Sequence, residues 1–326
     1  MPLTRRSRFL LLLPAFYIFF SVVAGIFLGE ATLHPARREL TPEAQSAMVN
    51  LSHQIDSDLH DVSLTTPDSV TLNAWTILPH HNNGDAVIFL HGLGDNRLGM
   101  AGYAQILLAH GFMVLLPDAR AHGSSGGQLA TYGLLERGDI HQWVGFLSAQ
   151  NHPHCIYALG ESMGAAELLQ SLSTEPRFCA IVAESSFANF REIAFDRMGQ
   201  PFHLGTWFGR TLLRPIVESA FIYVRFKYGL NMQQVSPADA VAKTVVPVLL
   251  IHGSIDTNIP FRHALLIHDR NPAVVLWEVP NADHCGAFNA DPREFDRRLI
   301  AWFANHPKAN DERLSTNDER LRKPKP

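Results

Sequence analysis

Six unbroken apolar runs constrain this chain more than any other feature: AVIFLHG (86–92), FMVLLPD (112–118), CIYALGE (155–161), AIVAES (180–185), VPVLLIHG (246–253) and AVVLWEVP (273–280). A strand with one wet face alternates polar and apolar side chains, so runs without alternation fit strands covered on both faces. Stretches with helical spacing lie between them at 97–109, 136–149, 163–173 and 261–268, and one more follows at 292–304. This alternation predicts an α/β fold with a mostly parallel, doubly wound sheet. Ahead of the runs, DVSLTTPDSVTLNAWTILP (61–79) alternates on either side of TPDS and predicts an antiparallel hairpin leading into the sheet.

The rest of the chain is arranged around that domain, which we place at 61–305. Residues 1–30 form an apolar segment, 31–60 a polar linker with one short helix, and 306–326 a polar tail in which NDERL recurs at a spacing of seven. One interval breaks the strand-helix alternation, at about 187–236. It holds Phe190, Phe195, Phe202, Trp207, Phe208, Phe221, Tyr223, Phe226 and Tyr228, too apolar for a linker, and reads as a helical lid over one end of the sheet. Against Glu192, Asp196 and Glu218 it also carries Arg191, Arg197, Arg210, Arg214, Arg225 and Lys227, which suit a negative group on a substrate or a solvated helix face.

At the N-terminus, Arg5, Arg6 and Arg8 precede an uncharged run from Phe9 to Gly29, about the length that spans a hydrocarbon core. An uncleaved membrane anchor is the favoured reading, with a signal segment cut after Ala24 as the alternative. The basic flank predicts a cytoplasmic N-terminus and an exported body, although Arg37 and Arg38 beyond the run weaken that bias. A formal net charge of -4 gives no reason to expect nucleic acid as a partner. Seventeen histidines show no HExxH or paired CxxC spacing, so no metal site is expected. Cys155 and Cys179 each precede an apolar run. As parallel neighbours those strands would bring the two sulfurs to one sheet edge, either as a disulfide or as two buried thiols.

The chemistry centres on ALGESMGAAELL (158–169), an apolar strand that turns at once into a helix. Gly160 and Gly164 flank Ser162 in a G-x-S-x-G bend, where missing side chains permit the sharp turn and leave the serine oxygen projecting above the strand ends. A serine hydroxyl needs a base to take its proton and an acid to orient that base. Asp256 lies just past VPVLLIHG and His284 just past AVVLWEVP, both in loops where open α/β sheets collect ligand chemistry. Glu184 and Asp283 are competing acids, and Asp256 is preferred because Asp283 is badly placed to turn back on its neighbour. Backbone N–H groups of Leu93, in FLHGLGDN, and of Met163 are the expected donors to an oxyanion. His91 is expected to brace that loop, and Cys285 to pack.

HGLGDN, PDARAHGSSGG, YGLLERGDI, LGESMGAA, SPADAVAKTVVPVLLIHGSID and NADHCGAF resemble the blocks of the α/β-hydrolase superfamily, in particular its bacterial serine aminopeptidase-like and membrane-anchored members. The resemblance covers residues 61 to 305. It implies the α/β-hydrolase fold, a triad of Ser162, Asp256 and His284, and hydrolysis of an ester, thioester or amide in a small acyl or peptide substrate without a cofactor. Where many members have glycine after the arginine of DxRGxG, this chain has Ala121 and His122. A non-catalytic envelope scaffold or binding protein on the same fold is the alternative.

Overall fold

The expected hairpin is formed by Ser57–Thr65 (β1) and Thr71–Pro79 (β2), and the six apolar runs give Ala86–Leu90 (β3), Met113–Pro117 (β4), Ile156–Glu161 (β5), Phe178–Glu184 (β6), Val248–Gly253 (β7) and Val275–Val279 (β8). This is a computed structural model, which describes residues 5–200 and 205–307. Phe202 and nearly all of the polar tail lie outside those residues. The strands form one sheet in the order β1-β2-β4-β3-β5-β6-β7-β8, parallel from β4 to β8, with β1 and β2 antiparallel.

Helices cover both faces of the sheet and its C-terminal edge. They are Arg5–Leu33 (α1), Pro42–Gln54 (α2), Ala101–Ala109 (α3), Glu136–Gln150 (α4), Met163–Ser171 (α5), Phe190–Gly199 (α6), Gly205–Arg210 (α7), Arg214–Tyr228 (α8), Pro237–Val241 (α9), Arg262–Arg270 (α10), Ala287–Ala290 (α11) and Pro292–Ala304 (α12). Successive strand side chains point to opposite faces. Ile88, Ala158, Ile181 and Leu250 therefore pack on Trp143, Leu147, Leu168 and Ile267 of α4, α5 and α10. Val87, Phe89, Leu159, Val182 and Leu249 pack on Tyr103, Leu107, Phe295 and Phe303 of α3 and α12. The run expected to be buried on both faces at 273–280 departs from this. As β8 it is the edge strand, with Val275 and Glu278 exposed, and its charge suits a position where no further strand pairs among the described residues.

A third apolar cluster sits above the strand ends and joins α6 and α8 to the sheet through Met163, Phe187 and Ile259. It includes Leu33, the fully buried last residue of α1. The segment 31–60 holds more structure than a linker, because α2 packs through Met48 and β1 begins at Ser57. Cys155 and Cys179 precede or open the neighbouring strands β5 and β6 and are joined as a disulfide, with Cα atoms 5.8 Å apart.

Arg37 and Arg38, which weaken a charge-based reading of orientation, have local work. Arg37 donates to the carbonyls of Gly123, Ser125 and Gly127 at 3.3, 2.6 and 3.1 Å, and Arg38 pairs with Asp95 at 2.9 Å. Residues Leu13–Leu33 of α1 are long and apolar enough to cross a membrane.

Candidate active site

β5 ends at Glu161 and α5 begins at Met163, so Ser162 alone makes the bend, with φ 51° and ψ −112°. A non-glycine residue held there stores backbone strain, which persists only when its surroundings enforce it. The enforcement is steric. A Cβ on Gly160 would lie 2.5 Å from the Gly164 carbonyl oxygen, and one on Gly164 would lie 2.3 Å from that of Leu90. Both glycines are therefore required for close backbone approach.

Asp256 and His284 stand on the loops after β7 and β8 and converge on this bend. The His284 Nδ1–H donates to Asp256 Oδ2 at 2.9 Å, because a carboxylate can only accept. That leaves Nε2 to accept the Ser162 hydroxyl at 2.9 Å. Asp256 is held by the backbone N–H groups of Asn258 and Ile259, which reach its Oδ1 at 2.9 and 2.8 Å. Burial pushes its carboxyl up, but the His284 bond and charge and the Ile259 N–H together hold it below the usual carboxylate range.

Neither rival acid touches the imidazole. Asp283 Oδ1 accepts from the Thr257 N–H at 3.0 Å and the His284 N–H at 2.8 Å, tying the two loops together. Glu184 is buried, accepts from the Tyr103 hydroxyl and from the Ala287 N–H, each at 3.0 Å, and anchors the start of α11. His252 was not foreseen. It lies 3.4 Å from Asp256 Oδ2 behind the acid, and its Nε2 donates to the Ile259 carbonyl at 2.7 Å. The only sequence signal for it is its place two residues before the turn to Asp256, inside an otherwise apolar strand.

His91 braces the loop after β3 as expected from its position. Its Nδ1–H donates to the Gly92 carbonyl at 2.8 Å, and its Nε2 accepts the Ala119 N–H at 3.0 Å. Burial pushes its pKa down, in keeping with a neutral ring. A Cβ at Gly92 would lie 3.5 Å from the Ser162 Cβ, so this loop runs directly beside the serine, and Leu93 follows on the cavity lining. Met163, the first residue of α5, has no preceding helical carbonyl to take its N–H.

Beneath the serine, burial and the neighbouring Glu184 and Asp95 push Glu161 up to about 7. Cys285 is the free cysteine; its N–H bonds Ser185 Oγ at 3.1 Å, and burial pushes its thiol well above the ordinary range. It is neither in the hydrogen-bonded line nor poised as a thiolate. Among the described residues no cluster of three His, Cys, Asp or Glu side chains could hold a metal ion.

A cavity of about 460 Å³ opens over Ser162, within the usual range of small-molecule sites. Its wall includes Leu93, Met163, Tyr132, Phe190 and Phe221, together with Leu28 and Thr32 of α1. Arg197 is the one charged residue on the lining among the described residues. Most other cations of the helical insertion are paired: Arg191 and Arg214 with Glu218, Arg210 with Glu192, and Lys227 with Glu30. Arg197 makes no ion pair among the described residues, and burial pushes its pKa down.

The sequence model described as "Alpha/beta hydrolase family" matches residues 87–298. The uncharacterized protein YqkD of Bacillus subtilis is 28% identical over 239 residues, covering 72% of this chain and 75% of its own. Among solved structures, the Pyrococcus furiosus esterase Pf2001 superposes with a TM-score of 0.66 at 25% identity, over 85% of this chain and 98% of the esterase. The acylaminoacyl peptidase of Pyrococcus horikoshii shares the fold, with a TM-score of 0.57 at 16% identity over 81% of this chain and 44% of its own.

Proposed function

Because this chain belongs to the alpha/beta hydrolase family, we propose that it is a serine hydrolase cleaving an ester, thioester or amide through an acyl-enzyme. The observation that carries this reading is the unbroken hydrogen-bond line from Ser162 Oγ through His284 to Asp256, each link 2.9 Å. Ser162 Oγ attacks the substrate carbonyl carbon while His284 Nε2 takes its proton, and Asp256 stabilises the imidazolium. The tetrahedral oxyanion is received by the backbone N–H groups of Leu93 and Met163. Collapse expels the leaving group, which takes the proton from His284. Water, deprotonated by the same imidazole, then attacks the acyl-serine and releases the acid.

Residues 187–236 act as the lid. Their aromatic wall and Arg197 suit a substrate that joins an apolar acyl part to a negative group. The N-terminal helix anchors the protein, and the Cys155–Cys179 disulfide supports a catalytic domain in an oxidising, extracytoplasmic compartment.

A panel of p-nitrophenyl acyl esters, acyl thioesters and aminoacyl anilides, with and without a free carboxylate, tests this reading and ranks the reaction classes. Wild-type protein is expected to turn over at least one class. Loss of Ser162 should then lower that rate by about 10³-fold or more. Turnover equal in wild type and Ser162→Ala would refute the assignment.

A further inference from the structure

The N-terminal helix ends inside the site. Its last carbonyls are satisfied by the loop that lines the cavity: the Tyr132 hydroxyl donates to Thr32 O at 2.9 Å, and the Ala130 N–H donates to Leu33 O at 2.9 Å. Gly25 and Gly29 bring α1 against α8, with the two helices running in the same direction. A Cβ on Gly25 would stand 2.6 Å from Ser219 Cβ and 2.7 Å from the Ile216 carbonyl oxygen, and one on Gly29 would stand 3.1 Å from Val224 Cγ2. At one end of this interface Tyr17 donates to the Leu212 carbonyl. At the other, Glu30 accepts from Tyr223, Lys227 and Tyr228 at 2.6, 2.9 and 2.9 Å.

This docking sets Leu28, Gly29, Ala31 and Thr32 on the cavity lining that also holds Ser162. The outer surface of the same helix pair carries large apolar side chains among the exposed cations Arg214, Arg225 and Lys227. Phe16, Phe19 and Phe27 of α1 are exposed, as are Ile222 and Phe226 of α8, the last 90% so. An exposed apolar surface of this kind marks a partner or a membrane. A bilayer is the occupant that fits, because the patch is continuous with a helix long and apolar enough to cross one.

We propose that the last turns of α1 form a wall of the acyl site and that α1 and α8 rest together in lipid, so that the substrate is a long-chain acyl ester drawn from the bilayer. This rests on the serine hydrolase reading above and gives that site its substrate class. The side chains named on the lining are mostly apolar, so each methylene buried there should raise kcat/KM by about fourfold until the cavity is full.

The test reconstitutes the full chain in phosphatidylcholine vesicles and assays p-nitrophenyl butanoate and hexadecanoate, the latter in the same vesicles as the protein or in separate ones. Wild type should favour hexadecanoate over butanoate by more than tenfold in kcat/KM, and should cleave it at least tenfold faster from the shared vesicles. Leu28→Trp and Ala31→Trp, which narrow the wall, should each lower the chain-length ratio at least tenfold. That ratio is internal to each variant, so partial misfolding does not mimic the result. Unchanged ratios in both variants, or equal rates from shared and separate vesicles, would overturn the proposal. Fluorophosphonate labelling of the same samples keeps the two readings apart. Labelled wild type with unchanged ratios removes only this inference, whereas unlabelled wild type removes the hydrolase reading and this inference with it.

Discussion

Asp256 and His284 occupy loops after neighbouring parallel strands, and their side chains meet at 2.9 Å with the carboxylate fully buried. The contact fixes which imidazole nitrogen carries the proton. Asp256→Asn should keep the fold and lose that control, lowering kcat by about 10⁴-fold. Asp283→Asn should cost less than about tenfold, since an amide oxygen can still accept from the Thr257 and His284 N–H groups. Steady-state kinetics on the best ester of the panel compares the two variants directly.

Glu161 gives the fold a pH dependence of known sign. Its carboxyl titrates near 4.5 when unperturbed and at about 7 in the folded protein, so between those values the folded state holds a proton that the unfolded state releases. Stability therefore falls as pH rises from 4.5 to 7, by about 3 kcal/mol from this group. Glu161→Gln should flatten that part of the curve. Urea unfolding of both proteins across the window measures the difference.

The Cys155–Cys179 bridge joins residues separated by 24 positions. Closing a loop of that length restricts the unfolded chain by about 3 kcal/mol. Replacing both cysteines with alanine should lower Tm by roughly 6 °C. Calorimetry with and without reductant on the wild type should reproduce the shift.

Ala121 occupies the glycine position of its loop with φ 61°, and its N–H bonds the Gly126 carbonyl at 2.8 Å. An L-residue there carries strain that glycine would not. Ala121→Gly should stabilise the protein by about 0.5–1 kcal/mol, read as a rise in Tm, with the loop's hydrogen bonds intact.

The sheet was legible because its strands are covered on both faces: Ala86–Leu90 and Met113–Pro117 are apolar throughout and buried throughout. The serine bend was legible because two glycines two residues either side of Ser162 have a steric cause. The first four residues of β1 were harder to read. SDLH alternates weakly, since the strand lies at the sheet edge and most of its residues are not buried. The docking of α1 was missed for a different reason. A helix apolar on all sides does not declare which face meets protein. The signal lay in Gly25 and Gly29, a small residue at each end of a GIFLG step that admits a close helix neighbour. His252 and the Glu161–Glu184 pair needed the fold itself, because their roles arise from burial between loops distant in sequence.

The most direct test of the central claim is covalent labelling with a fluorophosphonate, followed by peptide mapping of the folded full-length protein. A single adduct on Ser162 is expected, absent from Ser162→Ala and strongly reduced in His284→Ala. Folded wild-type protein without an adduct, or with the adduct elsewhere, would contradict the account and favour a scaffold built on the same fold.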